Sequence, residues 1–212
     1  MTSPLLEKVK HNILEFGRAG KGVKLIRAAF ADQIELAKDR RLTPRMQTLV
    51  MKLVKSDNIK GRGERLLENG DFRLLNNFEM NGNAELQRSM PVKIISSYDR
   101  PSGKVVIDIP SFVPAQTLKH TANATDYRIV CAAAEFDFKN GEFIASETAT
   151  PFEPIDTVNT ASIVLTTTLS PDSVFPVLIT VGIQFAEFVN GIKYPERSGE
   201  FNALCIVKAD KP

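Results

Sequence analysis

The sequence is poor in the side chains that carry most protein chemistry. Its 212 residues include two histidines, two cysteines and no tryptophan. With only His11 and His120, no histidine cluster for a metal site or a triad can be assembled, and both rings are expected to be solvated. Cys131 and Cys205 fall inside apolar, strand-like runs; two cysteines so placed make neither a disulfide framework nor a metal knuckle, and read as buried, reduced thiols. No apolar run reaches the roughly 18 residues that a membrane-spanning helix needs. The N-terminal stretch has charges inside its apolar pattern and no small-residue cleavage site, so no signal peptide is read there and a cytoplasmic location is expected.

Catalytic signatures are equally sparse. A Gly-x-Ser-x-Gly nucleophile elbow is missing. The run Gly17-Arg18-Ala19-Gly20-Lys21-Gly22 suggests a phosphate loop, yet Glu15 stands where the first glycine belongs and Gly22 where a Ser or Thr should bind the cation. It reads instead as a flexible interhelical turn. Glu135 and Asp137 lie two apart on one strand face, but their alternation with Phe136 and Phe138 makes that face a solvated exterior rather than an acid/base pair. Asn123-Ala124-Thr125 is a glycosylation sequon in form only, given the expected compartment. No catalytic residue, metal ligand or cofactor is assigned.

What is present is a division of charge. The net charge is +2, but residues 1–65 hold 15 Lys and Arg against 7 Asp and Glu, which is +8, and residues 66–212 hold 12 against 18, which is −6. Such asymmetry marks a segment that meets an acidic partner.

The same boundary separates two patterns of hydrophobicity. Leu5, Val9, Ile13 and Phe16 recur at helical spacing behind Ser3 as N-cap and Pro4 in the first turn, with the helix expected to stop at Gly17. A second helix is predicted from about Val23 to Asp39, with Val23, Ile26, Phe30, Ile34 and Ala37 on one face. A third begins at Thr43 as N-cap and Pro44, and its stripe of Met46, Leu49, Val50, Leu53 and Val54 leaves Arg45, Lys52 and Lys55 on the other side. Residues 64–87 could form a short helix followed by strands.

From Val92 onward the chain reads as strands and turns. Arg100-Pro101-Ser102-Gly103 and Lys139-Asn140-Gly141 each join two strand-like runs as hairpins, and Asn190-Gly191 marks a third. Phe175, Val177, Ile179, Val181, Ile183 and Phe185 alternate as a one-sided core strand. The last strand is apolar on both faces, with Leu204 and Ile206 on one and Phe201, Ala203, Cys205 and Val207 on the other; the helical half or a partner is expected to dock there. About seven strands at this spacing predict an antiparallel sandwich.

The stretches IPSFVPAQTL, ATDYRIVCAAAEFDF and GIQFAEFVNGIKYPERSGEFNALCIV resemble segments of a family of uncharacterised proteins from Bacteroidota. In that family a basic helical N-terminus, with an RAAF-like stretch and a K-GRG-like joint, leads into the same β-rich region. The resemblance covers most of the chain and implies the two-part division; it carries no catalytic motif.

The sequence therefore predicts an α+β protein: a basic helical segment at 1–65, a connector at 66–90, and an antiparallel immunoglobulin- or fibronectin-III-like β-sandwich at 91–212. The expected function is a non-enzymatic structural or protein-interaction module, self-assembling into an oligomer or filament by contact of its basic helices with acidic sandwiches. The alternative is nucleic-acid binding by the same helices, with no membrane partner in either case. The candidate interaction residues are Lys38, Arg40, Arg41, Arg45, Lys52 and Lys55, which could follow an acidic surface or a phosphate backbone, together with Leu204 and Ile206.

Overall fold

The computed structural model describes residues 4–37 and 39–212. Three helices, α1 (Pro4–Ala29), α2 (Ala31–Leu36) and α3 (Leu42–Lys55), precede a β-rich region. The connector runs through a 3₁₀ turn at Phe72–Leu75, the two-residue strand β1 (Phe78–Glu79) and the one-turn helix α4 (Leu86–Ser89). Then come β2 (Ile95–Asp99), β3 (Lys104–Ile109), the one-turn helix α5 (Pro114–Thr117), β4 (Asp126–Asp137), β5 (Glu142–Ala149) and β6 (Glu153–Pro154). The chain ends with β7 (Ile163–Thr168), β8 (Val177–Val189), β9 (Ile192–Pro195) and β10 (Ala203–Asp210).

Every strand pair is antiparallel, in two sheets. The larger has the order β1-β10-β8-β4-β5, with β6 also on β4 and β9 also on β8; the smaller is β2-β3-β7. The chain crosses between sheets after β1, after β3, before β7 and again before β8. All three expected hairpins form, and Asn190 and Gly191 both have positive φ, the conformation a two-residue turn requires.

Burial follows from the sheets' two-sidedness. Between the sheets lie Val105, Ile107, Tyr127, Ile129, Cys131, Ile179, Val181 and Phe185 among others. On the opposite side of the larger sheet, Ala132, Phe136, Leu178, Leu204 and Ile206 pack under Val23, Ile26 and Phe30 and under Met46, Val50 and Leu53 of α3. The central strands of the larger sheet, β10, β8 up to Ala186 and β4, are thus covered on both faces. This corrects the reading of the 174–185 strand as one-sided: Leu178, Thr180, Gly182, Gln184 and Ala186 of β8 are as buried as the residues alternating with them. A register shift between Ile206 and Lys208 lets Ala209 rejoin the helix-facing side of β10.

The helical half also departs from expectation. Ser3, the predicted first cap, lies outside the described residues. No joint exists at Gly17 to Gly22, because α1 runs through all three glycines to Ala29. Glycine in a helix interior costs about 1 kcal/mol relative to alanine; Gly22 offsets this by admitting a neighbour, since a Cβ there would lie 2.4 Å from Leu67 Cδ1. The break falls instead at Phe30, whose ring is fully buried, 6.2 Å from that of Phe136. Nor does Thr43 cap α3. The helix begins at Leu42 behind Arg41, and Asp39 supplies the anchor by accepting the Arg41 N–H at 2.7 Å.

Candidate functional site

The predicted basic residues do not form one surface. Lys38 lies outside the described residues. Arg45 is turned inward: its guanidinium donates to Glu79 O at 2.7 Å and Met80 O at 3.0 Å, pairs with Asp39 at 2.5 Å, and lies over the Phe78 ring. It ties α3 to the connector and β1. Burial opposes the ionisation of Asp39, but the Arg41 and Gly82 N–H groups and Arg45 together hold its carboxyl below the ordinary range. Lys52 and Lys55 are exposed on α3. Arg40 and Arg41 join Arg27 and Arg197 around an open polar depression of 1160 Å³, which also carries Glu35, Asp39 and Glu200.

Leu204 and Ile206 are each 1% exposed, beneath the chain's own helices. The apolar outer face of the last strand is therefore occupied within the monomer.

A second basic site emerges only in three dimensions. Arg18, Lys21 and Lys24 of α1 face Lys139 at the β4–β5 turn across a groove of 780 Å³. Leu25, Leu66, Leu67, Phe138 and Phe143 supply its apolar wall, and Glu68 is its one acid. Arg18 is held by Gly63 O at 2.7 Å and Arg65 O at 3.2 Å, leaving the lysines facing solvent. The helical spacing of Arg18, Lys21, Leu25 and Ala28 is legible in the sequence; the β4–β5 turn that completes the groove lies over 110 residues away and carries no local signal.

The first four turns of α1 display a further apolar row. Leu6, Val9, Ile13 and Phe16 recur at one face of the helix, and Leu6, Ile13 and Phe16 are 63%, 65% and 59% exposed. Among the described side chains of residues 6–18 only Glu15 is buried; it accepts the Gly63 N–H at 2.8 Å, while Arg62 donates to Asn12.

Glu135 overturns its reading as solvated. It is 3% exposed, because it shares the inter-sheet side of β4 with Tyr127, Ile129, Cys131 and Ala133, not the outer side. Ser170 Oγ donates to it at 2.5 Å. Nearby, Arg100 stacks over Tyr98, pairs with Asp210, and donates to Ser173 O and Phe175 O. Burial pushes the Tyr98 phenol up; the Arg100 charge opposes this, and the carboxylates of Glu135, Asp210 and Asp99 add to it. This cluster closes one end of the sandwich by joining β2, β4, β10 and the loop before β8. Asp137, half-buried, instead anchors the turn by accepting from Asn140.

The histidines, expected to be solvated, are half-buried and each makes contacts. The His11 ring fills the space where a Gly63 side chain would be, and His120 Nδ1 lies 2.7 Å from Thr121 O with its ring against Phe185. Both cysteines are free and buried. Burial pushes Cys131 up to about 12 and raises Cys205 further, with the Glu79 carboxylate adding to the effect. Such thiols hold no thiolate near neutral pH and are poor nucleophiles. Among the described residues, no three His, Cys, Asp or Glu side chains converge as metal ligands, and no helix is long and apolar enough to cross a membrane.

No family model matches the chain, and no curated protein or solved structure matches it either.

Proposed function

We propose that this protein is a non-enzymatic structural or protein-interaction module that assembles through its helical half. The observation that carries the reading is the uncovered row of Leu6, Val9, Ile13 and Phe16 on a helix whose later turns bury Ala19, Val23 and Ile26. Large apolar side chains aligned on a rigid surface lose unfavourable hydration when a partner covers them. The unpaired lysines nearby and the acidic balance of residues 66–212 favour a protein surface, including that of another copy. The strand orders β2-β3-β7 and β10-β8-β4-β5, with their crossings, support an immunoglobulin- or fibronectin-III-like sandwich as the rigid support.

Light scattering across concentration and salt tests the reading. Assembly that grows with concentration and weakens when Ile13 and Phe16 are changed to Asp supports it. A protein that stays monomeric at high micromolar concentration and low salt removes self-assembly.

Nucleic-acid binding is the second reading, favoured by the depression bearing Arg27, Arg40, Arg41 and Arg197. It requires affinity for duplex or single-stranded DNA that falls steeply with salt and weakens in Arg40→Glu/Arg41→Glu. The internal use of Arg45 removes one of the cations on which it relied.

A further inference from the structure

The two ends of the larger sheet carry complementary features. The register pairs Asp126 with Ala186 and Glu135 with Val177, so the β4–β5 turn and the β8–β9 hairpin leave the sheet at opposite ends. Along β4 the separation is roughly 35–40 Å, at about 3.4 Å per residue. At the first end lies the groove between α1 and the β4–β5 turn, with Lys21, Lys24 and Lys139 exposed at its rim and Leu25, Phe138 and Phe143 along its wall. Leu14, one turn before Arg18 on the same helix face, is exposed as well.

The hairpin at the second end is convex and apolar. Beyond Ala186, β8 has no β4 or β10 neighbour and pairs only with β9. The register sets Val189 against Ile192 and Glu187 against Tyr194, so these four side chains share one face of a two-stranded ribbon. Val189, Ile192 and Tyr194 are all exposed, and so is Glu187. Lys193, on the other face, is occupied by Asp126 and Phe152 O, each at 2.7 Å, leaving Glu187 as the unpaired charge of the ribbon. A two-stranded ribbon is marginal by itself in water. Exposed apolar side chains at its tip add nothing to the monomer's core, whereas an apolar ribbon with one carboxylate suits a concave apolar wall rimmed with lysines.

We infer that the β8–β9 hairpin of one copy seats in the groove between α1 and the β4–β5 turn of the next copy, so that the protein assembles head to tail along the strand direction. The inference rests on the proposed assembly function and names another copy as the partner, through a contact separate from the Leu6, Val9, Ile13 and Phe16 row. The contact is heterologous: each copy offers a hairpin at one end and a groove at the other, and both remain open after each addition. A stable contact covers about 800 Å² on each partner, which requires the ribbon to lie along the groove rather than touch it with its tip. Val189, Ile192 and Tyr194 then face Leu25, Phe138 and Phe143, and Glu187 approaches the lysine rim.

The test uses two full-length variants that are each disabled at one end. Ile192→Asp/Tyr194→Asp blocks the hairpin, and Lys21→Glu/Lys24→Glu blocks the groove; all four positions are exposed, and unchanged thermal melting verifies that both proteins fold. In sedimentation velocity at low salt, the wild type should gain mass with concentration, while each variant alone should associate at least tenfold more weakly. Mixed together, they should regain association, because the one intact hairpin meets the one intact groove. If the wild type assembles and the variants assemble equally well, the head-to-tail contact is wrong although the assembly function stands. If both variants are monomeric and mixing restores nothing, the two surfaces do not meet and the inference is overturned. A strictly monomeric wild type removes both the inference and self-assembly, and a DNA shift lost in the groove variant would then assign the lysines to nucleic acid.

Discussion

One helix shows two fates for the same apolar pattern. In the later part of α1, Ala19, Val23 and Ile26 repeat every three or four residues and are buried against α3 and the larger sheet. In the earlier part, Leu6, Val9, Ile13 and Phe16 repeat at the same spacing and stay in solvent. Nothing in the periodicity separates them. The difference comes from what lies opposite. The later turns lie over the sheet, whose helix-facing side is built of Ala132, Ala134, Phe136, Leu178, Leu204 and Ile206, while the earlier turns meet the 61–65 loop at His11, Asn12 and Glu15 and α3 at Gln47, which donates to Phe16 O at 3.2 Å. An amphipathic helix thus specifies that one face wants cover, and the tertiary structure decides whether the chain itself provides it.

The covered half should be the sensitive one, and Leu204→Asp probes its floor. A carboxylate placed at a fully buried site under α1 and α3 has no partner there, so we expect a loss of about 4–5 kcal/mol or more, read as failure to fold or as a collapse of the urea midpoint. Phe30→Ala should cost somewhat less, about 3–5 kcal/mol, since it removes the ring that stands against Phe136 at the bend and leaves a cavity. If either variant melts like the wild type, the helices do not share a core with the sheet.

Asp57 sharpens the comparison at the point where the chain leaves α3 for the loop that contacts the uncovered half. Its buried carboxylate accepts from Ile59 N, Lys60 N, Leu66 N and Asn69 Nδ2. Burial opposes its ionisation, but these donors, led by Leu66 N–H, outweigh burial and hold the pKa to about 2. A carboxyl that is depressed below its unfolded value of about 3.9 stabilises the fold fully above that pH, and the contribution is lost as pH falls toward 2. Asp57→Ala should therefore cost about 2–3 kcal/mol at neutral pH. Asp57→Asn should flatten the fall in stability between pH 4 and pH 2 relative to the wild type, as followed by urea titration at each pH.

The architecture was largely legible because strands declare themselves by turns and alternation. Arg100 to Gly103, Lys139 to Gly141 and Asn190-Gly191 all sit in hairpins, and the two apolar faces of the final strand were visible as two sets of residues. Legibility failed where a local rule met a distant neighbour. The glycines of α1 looked like a joint because the segment 45 residues away that needs the room at Gly22 leaves no mark on the helix. Glu135 looked solvated because alternation tells which residues share a face without telling which face is inside, and the Phe136 side proved to be covered as well. Arg45 looked free because its acceptors, Glu79 O and Met80 O, belong to a stretch with no readable secondary structure. The groove at the β4–β5 turn has the same character, being assembled from two segments that are unremarkable apart.

The smallest effect on stability should come from the uncovered half, and it is the most informative about function. Ile13→Asp and Phe16→Asp exchange exposed apolar side chains for carboxylates on a helix, where surface substitutions usually shift stability by no more than about 0.5 kcal/mol. If this row served neither the fold nor assembly, the two changes would leave every solution property untouched. If it serves assembly, light scattering should fall while the melting curve stays in place, a separation that Leu204→Asp cannot produce because it destroys fold and association together. A Phe16→Asp protein that melted several degrees lower would show instead that the early turns of α1 find cover within their own chain, and the contrast between the two halves of the helix would vanish.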